Sequence, residues 1–394
     1  MTDELPLFFD QINGAPPLPE VVTGMTPWIA LSANPQADHQ YGRRAHTAME
    51  EARARVALLI GARPEQVLFG ASGTEVNNLA IKGTLKANRK KGRRIVLSAV
   101  EHPSVERACR RMTEAPGDGY DTVIVGVDRD GRVDPDNLMA AVTDDTAMVC
   151  LQLANPEVGT VQPVADVARF LSGHRALLMV DAVAAAGRIP IAVETLGADL
   201  MTFSAPPMGG PAGAAALWVR RGVRIQPEID GGVQEGGRRG GTENVAAIVG
   251  FGVAAACAYQ GLTEQGAHLD MLADRLRDAI GSISGLSFTG PDNKRLPGHV
   301  SFRVDGIEGQ SLLLRLDQAG IAASSGSYCG AKAMKASPVL TAMGYPPEAA
   351  LSGVVFSFDA KIDARNVDEG ARRLRECVEN LRRAFPAGTS GPTA

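Results

Sequence analysis

Cys329 stands in a segment whose residue types suit thiol chemistry. It lies in "SSGSYCGAK", among small polar residues, with Lys332 and Lys335 close to it in sequence. Neighbouring positive charge favours the thiolate, which is the reactive form of cysteine. The other four cysteines lie in apolar or helical stretches and form no CxxC pair: Cys109, Cys150, Cys257 and Cys377. Cys329 is therefore the candidate reactive thiol, and neither a disulfide framework nor a finger-type zinc site is indicated.

Two glycine-rich segments are candidates for anion binding. "GASGTE" (residues 70–75) joins a predicted strand to a predicted helix, where free N–H groups and the Thr74 hydroxyl suit a phosphate. A plain strand-to-helix turn is the alternative. "GGVQEGGRRGGTEN" (residues 231–244) offers Arg238, Arg239 and Thr242 to a phosphate or carboxylate. Its alternative is a flexible surface loop.

Two further polar residues follow predicted buried strands. His102, in "SAVEHPSV", is placed to stack on a flat ring or to move a proton; a capping histidine is the alternative. Asp181 ends the strand in "MVDAVAAAG". Ligand sites of α/β proteins form at the carboxyl ends of parallel strands, so Asp181 is a candidate ligand-binding carboxylate.

The segment "TFSAPPMGGPAG" (residues 202–213) runs from an apolar strand into a turn rich in proline and glycine. Proline restricts the backbone torsions of itself and of the residue before it, so we predict a rigid turn here.

Helical and short apolar segments alternate along the first two thirds of the chain. Near-continuous apolar strands between helices are typical of a mostly parallel sheet covered on both faces. We therefore predict a large three-layer α/β domain over residues 15–261. The predicted helices are residues 44–60, 77–90, 104–112, 134–142 and 164–171, and the strands lie in "EQVLFG", "RIVLS", "DTVIVGV", "TAMVCLQLA", "ALLMVDA", "ADLMTFS" and "GAAALWVR".

The pattern changes near residue 262, which predicts a smaller α+β domain formed by residues 1–14 and 262–385. Its predicted helices are residues 262–283, 308–318 and 364–384, and its strands lie in "LSFTG", "HVSFRV" and "SGVVFSF". The tail, residues 386–394, is rich in small residues, proline and glycine and is predicted to be disordered.

Composition excludes several classes of partner. The 394 residues carry a formal net charge of −4, with a sequence pI near 5.9, which gives no electrostatic reason to bind nucleic acid or an anionic membrane. We find no apolar run as long as a membrane span, and "MTDELPLFFD" lacks the pattern of a signal peptide. The predicted location is the cytoplasm.

Taken in order, these segments resemble the cysteine desulfurases, class-V aminotransferase-like enzymes that use pyridoxal phosphate (PLP) to take sulfur from cysteine as a persulfide. The resemblance covers more than 300 residues and implies the PLP-dependent fold type I. The segments that carry it are "FFDQINGAPPLP", "GTEVNNLAIKG", "VEHPSV", "LANPEVGTVQP", "MVDAVAAAG", "GGRRGGTEN" and "SSGSYC".

The resemblance also implies roles for individual residues. Gly73 and Thr74 would hold the cofactor phosphate, His102 would stack on the pyridine ring, and Asn155 would face the ring's hydroxyl side. Asp181 would pair with the ring nitrogen, whose positive charge makes the ring an electron sink.

Three more residues complete the implied set. Ser204 belongs with the cofactor-binding residues. Thr242 matches a threonine that reaches the phosphate bound by the other subunit in family members, which implies a homodimer. Cys329 matches the sulfur acceptor.

The sequence departs from the family pattern in "SAPPMGGPAG". Pro207 stands where the family has the lysine that links to PLP, Pro206 where it has the preceding histidine, and Ala212 where it has the lysine of the following turn. No lysine occurs between Arg93 and Asn293, so no shift of the alignment restores one.

Two other family positions differ. Ala184 replaces the glutamine after the ring-nitrogen aspartate, and Val355 replaces the arginine that grips the substrate carboxylate. Removing a positioned general base typically costs about 10²- to 10⁴-fold in rate. A carboxylate also loses its strongest contact when a bidentate guanidinium is replaced by valine.

Three functions agree with these observations. The first is a catalytically degenerate relative that keeps Cys329 and acts in sulfur transfer or iron–sulfur cluster assembly, as a persulfide carrier, a cluster ligand or a subunit that binds a scaffold or sulfur-acceptor protein. The second is an active desulfurase that binds PLP without a covalent link or through Lys332 or Lys335. The third is a pocket adapted to another small anion, or a purely structural protein.

Overall fold

Strands and helices alternate along the chain. The computed structural model describes residues 6–31, 33–114, 119–325, 336–359 and 361–384. The strands are β1 (Leu7–Phe8), β2 (Val67–Gly70), β3 (Arg94–Ser98), β4 (Asp121–Val125), β5 (Thr146–Cys150), β6 (Leu177–Asp181), β7 (Leu200–Ser204), β8 (Ala215–Val219), β9 (Leu286–Phe288), β10 (His299–Val304), β11 (Ile321–Ala322) and β12 (Gly353–Ser357).

The helices lie between these strands. They are α1 (Pro19–Leu31), α2 (Gln40–Leu59), α3 (Gly73–Asn78), α4 (Thr84–Ala87), α5 (Pro103–Glu114), α6 (Pro135–Ala141), α7 (Val164–Phe170), α8 (Val193–Leu196), α9 (Gln234–Gly237), α10 (Val245–Ile280), α11 (Gly309–Gln318), α12 (Pro338–Ala342), α13 (Pro347–Ala350) and α14 (Ala364–Ala384).

Seven strands form the main sheet, in the order β2-β8-β7-β6-β5-β3-β4. Strand β8 runs antiparallel to both of its neighbours, and the other pairs are parallel. The predicted mostly parallel sheet is confirmed. Strands β2, β3, β5, β6 and β7 therefore end at one edge, which gathers the segments that follow Gly70, Ser98, Asp181 and Ser204.

Both faces of this sheet are buried. Neighbouring residues of one strand contribute to different cores: Val180 packs into the core on one face, and Met179 into the core on the other. Residues of a strand point alternately to its two faces, so a sheet covered on both sides needs apolar residues at nearly every position. This explains the continuous apolar runs of the sequence.

A second, antiparallel sheet has the order β12-β10-β9. Its apolar face packs against α11, α14 and the end of α10 in a separate core that includes Phe302, Phe356 and Leu374. Strand β1 joins this part of the molecule by pairing in parallel with β11. The division into two domains at residues 14/15 and 261/262 stays a prediction.

Helix α10 differs from the sequence-based expectation. It begins at Val245, with Asn244 as N-cap, and continues to Ile280, so the predicted start at residue 262 was wrong. Phe251 belongs to a core of the main sheet, and Leu276 to the core of the small sheet. One continuous helix therefore links the two cores.

The same helix is long and apolar enough to cross a membrane by length and composition, which the sequence analysis did not expect. Half of its most apolar window is buried inside the protein, and it packs on α1, α2 and α14. These contacts are those of a core helix.

Three other helices also differ from the expectation. Helix α1 was not predicted, and α2 begins at Gln40 instead of residue 44, capped by the His39 side chain. The single helix predicted over residues 77–90 is divided: a turn of π-helix, Leu79–Gly83, lies between α3 and α4. Such π-turns often occur beside functional sites.

Candidate active site

The carboxyl edge of the main sheet opens into a cavity of about 560 Å³. It collects the side chains or backbone of five predicted site residues and of three positions where the sequence is predicted to depart from the family pattern. These are Gly73, Thr74, His102, Asp181 and Ser204, and Ala184, Pro206 and Pro207.

Asp181 is held in a fixed orientation on the cavity floor. One carboxylate oxygen accepts a hydrogen bond from the Asn77 side chain (2.8 Å), and the other accepts one from the backbone N–H of Val183 (2.9 Å). The Asn77 carbonyl in turn accepts from the Thr202 hydroxyl (2.6 Å). Asn77 therefore links α3 to the ends of β6 and β7 and positions the carboxylate.

The same network reaches His102. Asn77 also donates to the Ser104 hydroxyl (2.9 Å), which lies 2.6 Å from His102 Nδ1, and the Ser104 backbone N–H donates to that nitrogen (3.1 Å). Burial lowers the pKa of His102 below its ordinary value; the negative charge of Asp181 acts in the opposite direction, and Arg107 reinforces the effect of burial. The arrangement favours a neutral imidazole whose proton is on Nε2.

Glu101, beside His102, is a buried carboxyl group. One of its oxygens accepts from the Ser98 hydroxyl (2.6 Å) and from the Gln152 backbone N–H (2.9 Å), while the other has no hydrogen-bond partner among the described residues. Burial raises the pKa of Glu101 to about 7, and the charge of Asp181 adds to the rise. The Glu101 carboxyl group is therefore partly protonated near neutral pH.

The turn before α3 has the form predicted for an anion site. The Ser72 side chain caps the helix by accepting from the Glu75 N–H (3.2 Å), and Gly73 and Thr74 line the cavity. A Cβ on Gly73 would lie 3.0 Å from Val183, so a larger residue would crowd the segment after Asp181. The turn thus presents backbone and hydroxyl groups to the cavity.

The two arginines of the 231–244 segment form contacts within the chain. Arg239 pairs with Glu75 (2.9 Å), and Arg238 donates to the backbone oxygen of Glu235 (3.1 Å). Neither lines the cavity. Arg239 therefore ties this segment to Glu75, the last residue of the 70–75 segment, without lining the cavity.

Pro206 and Pro207 begin a short 3-10 helix directly after β7. Pro207 is buried, lines the cavity, and accepts a hydrogen bond on its backbone oxygen from the Gln11 side chain (3.0 Å). Gly209 ends the turn with φ 74°, a left-handed conformation that glycine adopts without strain. The predicted rigid turn is present, and an apolar ring stands at the cavity wall.

Two predicted site residues, Asn155 and Thr242, and the altered position Val355 do not line the cavity. Asn155 is buried, and its side-chain oxygen accepts from the backbone N–H groups of Glu157 and Val158 (2.9 Å each). Thr242 is exposed in the loop before α10. Val355 is fully buried in β12. Cys329, Lys332 and Lys335 lie outside the described residues, as does the tail.

The structure adds residues that the sequence analysis did not single out. Asn77 and Ser104 complete the network around Asp181 and His102, although both lie within segments quoted for other residues. Three cationic side chains also line the cavity: Lys82, Arg107 and Arg111.

Comparison with known proteins decides the family. The sequence matches the family model of the class-V aminotransferases over residues 7–369. It is 38% identical over 384 residues to cysteine desulfurase IscS 1 of Archaeoglobus fulgidus, which covers 96% of this chain and 98% of the relative. The chain belongs to the cysteine desulfurase family. It is also 36% identical over 382 residues to cysteine desulfurase IscS of Dictyoglomus turgidum, covering 96% of each.

Solved structures of the family have the same fold. A NifS-like protein superimposes with a TM-score of 0.89 at 31% identity, covering 96% of this chain and 100% of that chain. A NifS-like protein from Rickettsia africae superimposes with a TM-score of 0.85 at 28% identity, covering 95% and 99%. The predicted PLP fold type I is therefore confirmed.

The cavity meets some requirements of the cofactor of cysteine desulfurases and not others. The turn at Thr74, the neutral imidazole of His102 and the oriented carboxylate of Asp181 suit a phosphate, an aromatic ring and a protonated ring nitrogen. Pro207 offers no amine for a covalent link, and Lys82 is the only lysine among the described residues that line the cavity. The described residues also contain no cluster of three His, Cys, Asp or Glu side chains placed to hold a metal.

Proposed function

We propose that this protein is a degenerate member of the cysteine desulfurase family that takes part in sulfur transfer or iron–sulfur cluster assembly through Cys329. The observation that carries the proposal is the buried Pro207 in the cavity wall at the end of β7. An autonomous desulfurase needs an amine there to bind the cofactor and to move protons during the reaction. Proline can do neither.

The surrounding residues support binding more than turnover. When bound, PLP supplies an electron sink for bonds at the carbon next to an amine. Asp181, oriented by Asn77, would hold a protonated ring nitrogen, and His102 would cover the ring face. Ala184 and Pro206 add no titratable group to the cavity. The chain thus keeps groups that orient a ring and lacks the proton-transfer groups that its family uses.

The proposed chemistry of Cys329 needs no cofactor. Its thiolate attacks the outer sulfur of a persulfide donor, the donor's S–S bond breaks, and the donor leaves as a thiolate. Cys329 then carries the persulfide, and no net electrons are exchanged. The acceptor would be a thiol of a scaffold or sulfur-acceptor protein, and an iron–sulfur cluster bound by Cys329 is a further form of the same proposal.

We also propose a cytoplasmic homodimer. Support comes from α1, whose sequence is largely apolar but of which Val21 alone is buried within the described chain. Val22 is 52% exposed and Ile29 is 64% exposed. Exposed apolar residues grouped on one helix mark an interaction surface.

Two assays test the proposal. The purified protein is supplied with PLP and cysteine, and alanine and sulfide are measured; neither should exceed trace level. It is then incubated with a low-molecular-weight persulfide and analysed by mass spectrometry, which should find one added sulfur on Cys329. The Cys329→Ser variant should lose it, and the matched control Cys257→Ser should keep it.

The results can also reject the proposal. Alanine and sulfide formed together in amounts that exceed the enzyme would show an active desulfurase. Sulfur transfer and any brown cluster colour that persist in Cys329→Ser would show that the thiol is not involved.

The second candidate function, an active desulfurase, has one observation in its favour: Lys82 lines the cavity that contains Asp181 and His102. PLP bound through this lysine, or through Lys332 or Lys335, would be trapped by borohydride reduction and found by peptide mapping. PLP removed by dialysis after that treatment would show that no lysine holds it.

A further inference from the structure

The outer part of the cavity carries three positive charges. Thr74, Asn78 and Lys82 are spaced four residues apart along α3 and the π-turn, and all three line the cavity. Arg107 and Arg111 are likewise four residues apart on α5 and also line the cavity. Residues at this spacing share one helix face. The two helical segments pack together, so their lining faces border one groove.

None of the three cations is neutralised within the described structure. Lys82, Arg107 and Arg111 form no hydrogen bond or ion pair with the described residues. The nearby glutamates have other partners: Glu106 pairs with Arg110, and Glu75 with Arg239. Asp181 is the only described acidic residue on the cavity lining.

Cations gathered around a concave site attract an anion of several charges. Arginine binds phosphate oxygens in a bidentate manner, and two arginines one helical turn apart can grip neighbouring phosphoryl groups. We propose that Lys82, Arg107 and Arg111 form a second anion subsite, which binds the diphosphate group, or a comparable polyanion, of a small molecule.

This subsite is separate from the turn at Thr74. Lys82 follows Thr74 by eight residues, which corresponds to roughly 12 Å along a helix. A single phosphate cannot contact both ends of that distance. The inference does not depend on the proposed role of Cys329, because no step of sulfur transfer enters it.

Calorimetric titration with inorganic pyrophosphate tests the subsite. The wild-type protein should bind pyrophosphate more tightly than inorganic phosphate. Arg107→Ala and Arg111→Ala should each weaken pyrophosphate binding about tenfold, the typical effect of losing a charged hydrogen bond. The matched control is Arg110→Ala, which removes an exposed arginine of the same helix that does not line the cavity and should leave binding unchanged.

Two more variants distinguish the alternatives. Thr74→Val should weaken PLP binding, followed by absorbance, but not pyrophosphate binding, and Cys329→Ser should change neither. An undetectable affinity of the wild type for pyrophosphate would overturn the proposal, as would equal weakening by Arg110→Ala. A loss in Thr74→Val equal to that in Arg107→Ala would place the anion at the phosphate turn and would also overturn it. Circular dichroism confirms that each variant is folded.

Discussion

At the scale of single residues, one hydrogen-bond network orients two polar groups of the cavity. Asp181 accepts from the Asn77 side chain and from the Val183 N–H, and His102 contacts Ser104. Pro207 also lines the cavity, is buried and has no titratable group. The cavity therefore places oriented polar groups together with a residue that can neither form a covalent link to a carbonyl group nor move a proton.

Restoring the amine alone should not restore turnover. In Pro207→Lys, positions 206 and 355 still lack the histidine and the arginine that the resemblance implies there, and loss of a positioned acid or base costs about 10²- to 10⁴-fold in rate. Assayed with PLP and cysteine, this variant should form a covalent link to PLP but release alanine only slowly. Adding Pro206→His and Val355→Arg should raise the rate above that of the single variant. Full desulfurase turnover from Pro207→Lys alone would refute the importance of the other positions.

At the scale of elements, a buried ion pair fixes α2 against β2 and the glycine-rich segment. The two terminal nitrogens of Arg53, Nη1 and Nη2, donate to the Glu235 carboxylate (2.7 and 2.9 Å). The backbone N–H of Phe69 donates to the same carboxylate (3.0 Å). The Arg53 guanidinium also lies 4.6 Å from the centre of the Phe69 ring. Glu235, in the glycine-rich segment, therefore takes part in a structural support of the fold.

Truncation of this pair should be strongly destabilising. Glu235→Ala leaves the buried cation of Arg53 with only the partly exposed Glu50 (3.0 Å) as its counter-charge and removes the acceptor of the Phe69 N–H, so we expect the free energy of unfolding to fall by about 3 kcal/mol. Urea denaturation followed by circular dichroism measures the change. The control is Glu106→Ala, which breaks the exposed pair with Arg110 and should cost less than about 1 kcal/mol. Equal losses in both variants would contradict the assigned role of the buried pair.

At the scale of the whole molecule, Glu157 lies where the loop after β5 meets the small sheet. It is buried, it bonds the Ser337 side chain, and one of its oxygens has no partner among the described residues. Burial raises the pKa of Glu157 from its ordinary value of 4.5 to about 7. The folded state therefore binds a proton more tightly than the unfolded state does.

This linkage predicts a pH dependence of stability. The contribution of Glu157 to the free energy of unfolding is fully present below about pH 4.5 and is lost as pH rises through about 7. The reason is that the carboxyl group ionises at a lower pH in the unfolded state than in the folded state. Glu157→Gln cannot ionise, so its stability relative to the wild type should increase by roughly 3 kcal/mol between pH 4.5 and pH 8. Thermal or urea denaturation at both pH values measures the difference. A constant difference across this range, like that expected of the exposed control Glu65→Gln, would contradict the prediction.

The apolar surface of α1 makes a second prediction at this scale. Light scattering after size-exclusion chromatography should give the mass of a dimer. Val22→Glu combined with Ile29→Glu should shift the protein toward the monomer, because charges replace apolar contacts. Leu314→Glu changes an equally exposed leucine of α11 and should leave the mass unchanged. A wild-type monomer at micromolar concentration would reject the homodimer.

Most of the fold could be predicted from the sequence because strands and helices follow from patterns of neighbouring residues. Short apolar runs between helices located every strand of the main sheet, and the ends of those strands located Asp181, Ser204 and Pro207. The sequence-based prediction failed at α10. The amphipathic pattern changes near residue 262 and predicts the start of a helix there, but a single helix already begins at Val245. A helix that enters two cores changes its buried face without ending, which periodicity alone does not distinguish from a boundary.

The sequence by itself thus determined the family, the order of strands and helices along the chain, and the absence of a lysine at Pro207, since each depends on residues read in order. Only the tertiary structure decided which side chains share the cavity. Asn77 is hydrogen-bonded to Asp181, which is 104 positions away in the sequence, and to Ser104, which is 27 positions away. Lys82 lines the same cavity as Arg107 and Arg111 because α3, the π-turn and α5 pack together. Such pairings depend on how distant elements pack, and no local pattern of residue types encodes them.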